Sequence, residues 1–430
     1  MSTTDCSLAV GVQGVNTEAR PSLGTKAAQA LLRFTLRTGV RGCLVAAAVG
    51  RRLVRRGPPT ERGHMLLTAT FYSDNWIKAH LVPLATSSRC DRITVVATTK
   101  VPDIPKVEGV YPPSWMLRTV GEVPARLLMF MWVAATRRPD WVAGVHLLFN
   151  GLVAYVLANV VGARSLYFCV GGPGEVVGGG IGGENRMFGK LREPDPVLER
   201  KLIDVVAAFD LTITMGHGAA RFFRTHGVQT PVEVVPGGFD SDRFSVGSAE
   251  RDIDCVLVAR LAAVKRIDTF LEAFRRVVDR RPSAKAVICG DGELRTELTA
   301  RATALGLDQA VQFVGLQTNV IPWLQRSRVF VLTSRTEGVA LSLIEAMLCG
   351  AVPVVSDVGD LGDMVRHGEN GYLVANRQPD QFAGFIQDVL DRPERRRAFS
   401  AAARETAAAL SIERVATTWD AILRPGHAGV

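Results

Sequence analysis

Glu337-Gly-Val-Ala-Leu-Ser-Leu-Ile-Glu345 follows the apolar run Val329-Phe-Val-Leu-Thr333 and leads to Gly350. The run is β-branched and aromatic without polar alternation, as expected of a parallel strand buried on both faces. Beyond Gly338, Leu341, Ile344, Glu345 and Leu348 recur at three- and four-residue spacing, which predicts a helix closed by Gly350. Glu345 then lies near the first helical turn and Glu337 in the loop before it. A helix start offers unpaired N–H groups and partial positive charge to an anion, while the two acids accept hydrogen bonds from hydroxyls. A diphosphate joined to a sugar satisfies both. An isolated acid pair reads equally well as a complement to the helix dipole.

A second segment upstream favours the ligand. Asp254-Cys-Val-Leu-Val258 is a strand that runs into Ala259-Arg260-Leu-Ala-Ala-Val-Lys265-Arg266 and the amphipathic helix Ile267 to Val278. Arg260 offers a planar fork and Lys265 a point charge, a pairing suited to a diphosphate. With eight lysines against 43 arginines, Lys265 stands out from surface filler. A third strand, Ala286-Val-Ile-Cys289, ends in Gly290-Asp-Gly292 before another helix.

With these pieces in place the chain resembles the retaining GT-B glycosyltransferases of glycosyltransferase family 4. The matching segments are VVPGGFDSDRF (Val234 to Phe244), VARLAAVKRID (Val258 to Asp268), ICGDGELRTEL (Ile288 to Leu298), VQFVGL (Val311 to Leu316) and SRTEGVALSLIEAMLCGAVPVVSD (Ser334 to Asp357). The resemblance implies an α/β GT-B fold of two Rossmann-like, doubly wound domains facing across a cleft. It implies that Arg260 and Lys265 neutralise the donor diphosphate, that Glu337 holds donor-sugar hydroxyls, and that Glu345 accepts from the ribose. It also lays Gly338, Val339 and Ala340, with Gly290 and Gly292, against the donor. Where the family usually has a bulky residue followed by Gly or Pro, this chain has Val339-Ala340, so the sugar pocket is expected to differ in shape.

At 430 residues and 47% apolar content the chain can bury two cores. The expected organisation is a basic extension over 1–64, an acceptor domain over 65–235, a nucleotide-sugar domain over 236–410, and a terminal helix over 411–430 that crosses back. Seven scattered cysteines imply a reducing compartment and no structural zinc. Asp240-Ser-Asp242 sits between Pro236-Gly-Gly-Phe239 and Arg243-Phe244 and reads as a turn between domains, with no metal and no cofactor beyond the donor substrate.

In the N-terminal half, Asp91 to Ala97, Asp140 to Val145, Arg164 to Val170 and Leu211 to Met215 read as strands alternating with helices. His146 follows its strand and opens the apolar helix through Leu152 to Val161. The resemblance places a catalytic histidine near here, at the cleft; a satisfied core histidine is the plainer reading. Val145 to Ala163 is interrupted by His146, Asn150 and Asn159, so a buried helix fits better than a membrane span. The segment Gly171 to Gly183 contains a formal G-x-G-x-x-G without a ribose-binding acid at the usual spacing. A mobile loop over the acceptor cleft is expected there. The family's Gly-Gly loop after the first strand is replaced by Phe71-Tyr-Ser-Asp-Asn-Trp76.

Residues 1–64 hold ten Arg and Lys against three Asp and Glu, +7 of the chain's +9. Within them Ala27 to Val54 is basic and amphipathic, too short in its apolar run to span a bilayer, and residues 27–56 can lie on an anionic membrane or pack as a solvated extension. The polar first residues do not fit a secretory signal, and a cytoplasmic location, peripheral on the inner membrane face, is expected. No recognition motif for nucleic acid accompanies the charge. Arginine-rich, lysine-poor usage hints at a GC-rich bacterium and at nothing more. The expected reaction is transfer of a sugar from a nucleotide-diphosphate donor to a hydroxyl of a glycan or lipid-linked acceptor. A nucleotide-sugar epimerase of the same fold and a non-catalytic, membrane-associated subunit stay open as alternatives.

Overall fold

The computed structural model describes residues 23–57, 60–70, 74–181, 191, 193–248 and 250–425. A long first helix, α1 (Leu23–Leu53), precedes a parallel α/β unit. That unit runs β1 (Gly63–Thr68), α2 (Asp74–Thr86), β2 (Cys90–Val96), β3 (Val107–Val110), α3 (Ser114–Val120), α4 (Glu122–Arg137), β4 (Trp141–Val145), α5 (Leu152–Val161) and β5 (Arg164–Cys169). It ends with α6 (Pro196–Val206), β6 (Leu211–Thr214), α7 (His217–Thr225) and β7 (Val232–Val234). The second unit runs β8 (Ile253–Val258), α8 (Ile267–Arg280), β9 (Ala286–Cys289), α9 (Arg295–Ala304), β10 (Val311–Gly315), α10 (Ile321–Arg326), β11 (Ser327–Leu332) and α11 (Leu341–Leu348). It closes with β12 (Val352–Ser356), β13 (Tyr372–Val374), α12 (Pro379–Asp391) and α13 (Pro393–Ala408), followed by α14 (Ile412–Ile422).

All ladders are parallel, in the orders β3-β2-β1-β4-β5-β6-β7 and β10-β9-β8-β11-β12-β13. Each order reverses once, between β1 and β4 and between β8 and β11, and such a reversal opens a crevice at the carboxyl ends of the strands. The central strands are buried on both faces, as their unbroken apolar runs predict. The edge strands β3 and β7 are short and half-buried, and composition alone does not reveal them.

Side-chain alternation along the first sheet sorts its helices. Met65, Leu67 and Phe168 pack with α2 and α14, whereas Leu66, Val142, Tyr167 and Cys169 pack with α4, α5, α6 and α1. Helix α14 therefore belongs to the first domain's core, with Trp419 fully buried against Phe168. The basic extension is also part of this domain. Val40 and Ala47 are buried, Arg37 makes a forked pair with Asp195, and Arg51 donates to Asn159 Oδ1 at 2.6 Å and Tyr155 OH at 2.7 Å.

The glycine-rich stretch departs from expectation. Its described part, Gly171 to Ile181, is a packed double turn rather than a loop over the cleft: Gly178, Gly179 and Gly180 are buried with positive φ, and Gly178 N–H donates to Glu199 at 2.7 Å. Residues 182–190 and Phe71-Tyr-Ser73 lie outside the described residues.

The domains meet through specific contacts. Asp360 Oδ1 accepts from Gly218 N–H at 2.7 Å and Asp363 Oδ2 from His217 N–H at 2.6 Å, so two carboxylates of the second domain cap the start of α7 in the first. A Cβ on Gly216 or Gly218 would collide with Asp360. At the connection, Gly237 has φ +110, Gly238 N–H donates to Ala79 O of α2, and the Asp240 side chain closes the turn by accepting from the amides of Asp242 and Arg243.

Candidate functional site

The reversal between β8 and β11 brings the two chemical segments of the second domain together. Lys265, leaving β8, donates to both oxygens of Glu337, leaving β11, at 2.7 and 2.9 Å, and Ser334 Oγ donates to the same carboxylate at 2.5 Å. The Thr333 hydroxyl donates to the carbonyls of Lys265 and Arg266, tying the two loops at their roots. Arg260 is exposed on the same loop as Lys265.

Gly290 and Gly292 shape this loop from behind. A Cβ at Gly290 (φ +147) would lie 1.9 Å from Ala259 O, and one at Gly292 would lie 2.5 Å from Leu261 O. Leu261 N–H donates to Asp291 O at 2.9 Å, so the turn after β9 buttresses the cationic loop after β8. Both glycines are needed for backbone approach at that buttress.

Helix α11 begins at Leu341, with Val339 buried and Ala340 at the cap. Glu345 thus sits in the second turn rather than the first. It is 5% exposed, and burial pushes its carboxyl up to about 7, with Arg243 offsetting part of that rise. Among the described residues its carboxylate makes one hydrogen bond, and it crosses the cleft: Asn75 of α2 donates to Oε1 at 3.4 Å. Gly338 faces the first domain, where a Cβ would stand 3.1 Å from Val170 O.

Opposite, at the β1/β4 reversal, His146 has φ +63 and ψ 140, uncommon for a residue with a Cβ. Glu175 holds it there. Glu175 Oε1 meets His146 Nδ1 at 3.0 Å and accepts from Gly171 N–H at 2.6 Å, while Oε2 accepts from Leu147 N–H at 2.7 Å and Tyr167 OH at 2.8 Å. Burial alone raises the Glu175 carboxyl, but His146 and the amides of Gly171 and Leu147 outweigh it and hold it below its usual range. A carboxylate against Nδ1 fixes Nδ1–H and leaves Nε2 as the acceptor nitrogen of the neutral ring. Beside it, buried Arg126 donates to Ala69 O and Thr70 Oγ1, each at 2.7 Å, and to Asn150 Oδ1 at 2.9 Å, lashing the ends of β1 and β4 together.

The structure therefore joins Lys265 to Glu337, sets Glu345 in the second turn of α11, and sets His146 on the other domain. Glu175, Arg126 and Asn75 escape the sequence reading. Glu175 lies inside a glycine run that reads as loop, and Arg126 lies in an apolar stretch with no motif to single it out. Among the described residues no cluster of His, Cys, Asp or Glu could hold a metal ion.

Comparison with known proteins bears on this arrangement. Residues 238–406 match the family of glycosyl transferases group 1. The Vi polysaccharide biosynthesis protein VipC/TviE of Salmonella typhi is 33% identical over 137 residues, 32% of this chain and 24% of that protein. D-inositol 3-phosphate glycosyltransferase 2 of Catenulispora acidiphila is 31% identical over 242 residues, 50% of this chain and 56% of that protein. The chain thus spans about a quarter and about half the length of these two relatives. Among solved structures, Anabaena Alr3699/HepE in complex with UDP and glucose superimposes with TM-score 0.67 at 16% identity, covering 84% of this chain and 98% of that one. Sucrose-phosphate synthase from Thermosynechococcus elongatus gives TM-score 0.67 at 18% identity, covering 84% and 98%. The chain has the fold of GT-B glycosyltransferases, and residues 238–406 are its region of similarity to glycosyl transferases group 1.

Proposed function

We propose that the protein is a retaining glycosyltransferase of family 4 that moves a sugar from a nucleotide-diphosphate donor to a hydroxyl of a glycan or lipid-linked acceptor. The observation that carries the reading is the meeting of Lys265 and Glu337 from two strands at the topological switch point of the second sheet. Arg260, Lys265 and the amides at Gly338, Val339 and Ala340 receive the diphosphate, Glu337 the sugar hydroxyls, and Glu345 the ribose. The bond from the anomeric carbon to the diphosphate breaks, a bond to the acceptor oxygen forms on the same face, and the acceptor proton passes to the departing phosphate. His146, whose Nδ1 lies 3.0 Å from Glu175 Oε1, is assigned to this centre from the first domain.

Purified protein is tested by thermal shift and turnover against UDP-, GDP- and ADP-sugars, with Lys265→Ala and Glu345→Ala in parallel. One donor is expected to stabilise the wild type and neither variant, with slow donor hydrolysis in the absence of acceptor. An altered sugar still attached to its diphosphate would indicate an epimerase instead. Failure of every nucleotide sugar to bind would overturn the site.

A further inference from the structure

Helices α3, α4, α5 and α1 lie side by side in that order on one side of the first domain, with α6 beyond α1. Helix α3 packs on α4. Phe130 and Val133 of α4 pack with Ala154 and Ala158 of α5. Gly50 of α1 is pressed on α5, where a Cβ would lie 2.8 Å from Asn159 O. Residues of this layer that point away from the sheet should be polar in a domain surrounded by water.

They are not. Trp115 on α3 is 61% exposed and Trp132 on α4 60%, whereas Trp141 and Trp419 elsewhere are 6% and 1%. Val123 and Leu128 on α4, Val160 on α5, and Phe34 and Leu53 on α1 are exposed as well. Two tryptophans amid aliphatic side chains are suited to the boundary between headgroups and acyl chains.

Charge identifies the occupant. The four helices contain a single acid, Glu122, while Arg41, Arg52 and Arg118 are exposed on them. Part of the basic extension is not available for this purpose, since Arg37 and Arg51 are turned inward onto Asp195, Asn159 and Tyr155. No described helix is long and apolar enough to cross a bilayer, so contact is at the surface.

Position completes the argument. Helix α3 follows β3, and Arg126 near the start of α4 reaches Ala69 and Thr70 beyond β1 and Asn150 beyond β4. The rim bearing Trp115 and Val123 therefore borders the crevice on the His146 side.

We infer that the outer layer of α1, α3, α4 and α5 is a docking surface for an anionic membrane, entered by Trp115 and Trp132 and held by Arg41, Arg52 and Arg118. It deepens the proposed function by setting the crevice of the first domain at the lipid surface, where an acceptor with a hydrophobic anchor resides. Docking itself needs neither donor nor turnover.

The test uses the full chain with vesicles of phosphatidylglycerol and phosphatidylcholine, and of phosphatidylcholine alone, each made with and without brominated acyl chains. Binding to the anionic vesicles is expected, with tryptophan emission quenched by the brominated lipid. Trp115→Ser with Trp132→Ser removes the quenching. Arg41→Gln, Arg52→Gln and Arg118→Gln together weaken vesicle affinity on the order of 100-fold, the scale of three lost headgroup attractions. Unchanged nucleotide-sugar binding in both variants shows that they fold. Equal affinity for phosphatidylcholine alone, quenching that survives the double tryptophan change, or a lipid-free dimer that shields both tryptophans would each overturn the proposal. Vesicle binding without any donor turnover would sink the transferase reading and leave the docking surface standing.

Discussion

The two sheets reverse strand order in the same way, yet their crevices are built from opposite chemistry. At β8/β11 Lys265 meets Glu337, Arg260 stands exposed on the same loop as Lys265, and Glu345 is buried in the helix that follows Glu337. At β1/β4 polar groups hold one another: among the described residues Glu175 meets His146, Leu147, Tyr167 and Gly171, and Arg126 donates to Ala69, Thr70 and Asn150. The first crevice is equipped to exchange its internal ion pair for a charged ligand. The second is equipped to hold an imidazole in a fixed and strained pose. Topology provides the crevice, and the residues in the loops that follow each strand decide what it can bind.

The largest test concerns how far the halves are independent. Trp419→Ala is expected to cost about 3–5 kcal/mol and to lower the unfolding temperature of the first domain selectively, splitting the calorimetric trace. A single transition at the wild-type midpoint would mean that α14 is an appendage and the contrast in assembly is wrong.

A pH titration of stability sharpens the donor side. The folded carboxyl of Glu345 titrates at about 7, above its ordinary 4.5. The folded state thus holds its proton more firmly than the unfolded chain. The resulting stabilisation is complete below pH 4.5 and is lost as pH rises through about 7. Urea midpoints should therefore fall by on the order of 3 kcal/mol of stability between roughly pH 5 and pH 8, and Glu345→Gln should flatten that slope. An equal slope in the variant would place the buried proton elsewhere.

Ligand binding then separates the two members of the ion pair. Lys265→Ala should weaken a nucleoside diphosphate roughly 10- to 100-fold, the scale of hydrogen bonds to a charged group. Glu337→Gln should weaken the nucleotide sugar alone and leave the nucleoside diphosphate as tight or tighter, because Lys265 no longer has a competing carboxylate. Calorimetric titration of both ligands decides, and parallel losses would refute the division of labour. The smallest effect belongs to the other crevice. Glu175→Gln should lower kcat about tenfold, the scale of one net hydrogen bond, with donor affinity unchanged. The 15N shifts of His146 should show the loss of a single tautomer, whereas a change in donor affinity would join two crevices that are separate in this account.

The contrast also explains which parts could be read from the chain. Strands β8, β9 and β11 are buried, and their carboxyl ends carry Arg260, Lys265 and Glu337 within a few residues, so pattern and chemistry coincide. The first domain's site depends on hydrogen bonds between residues far apart in the chain, such as Asn150 with Arg126 and Asn75 with Glu345. Glycines around Glu175 read as a mobile loop, although their positive φ angles serve a buried turn. In α1 the arginines read as one amphipathic face; the structure divides them between the domain and the solvent.

Helix α14 has a consequence for the making of the protein. One face of the first sheet is covered by α2 together with Val415, Trp419 and Ile422, and the whole second unit lies between β7 and those residues in the chain. A ribosome therefore releases the first sheet with part of its apolar face bare and completes every strand of the second sheet before the cover emerges. The usual order of maturation is reversed: the later domain can finish first, and the earlier one waits, exposed to chaperones or to wrong partners, for the last helix to arrive.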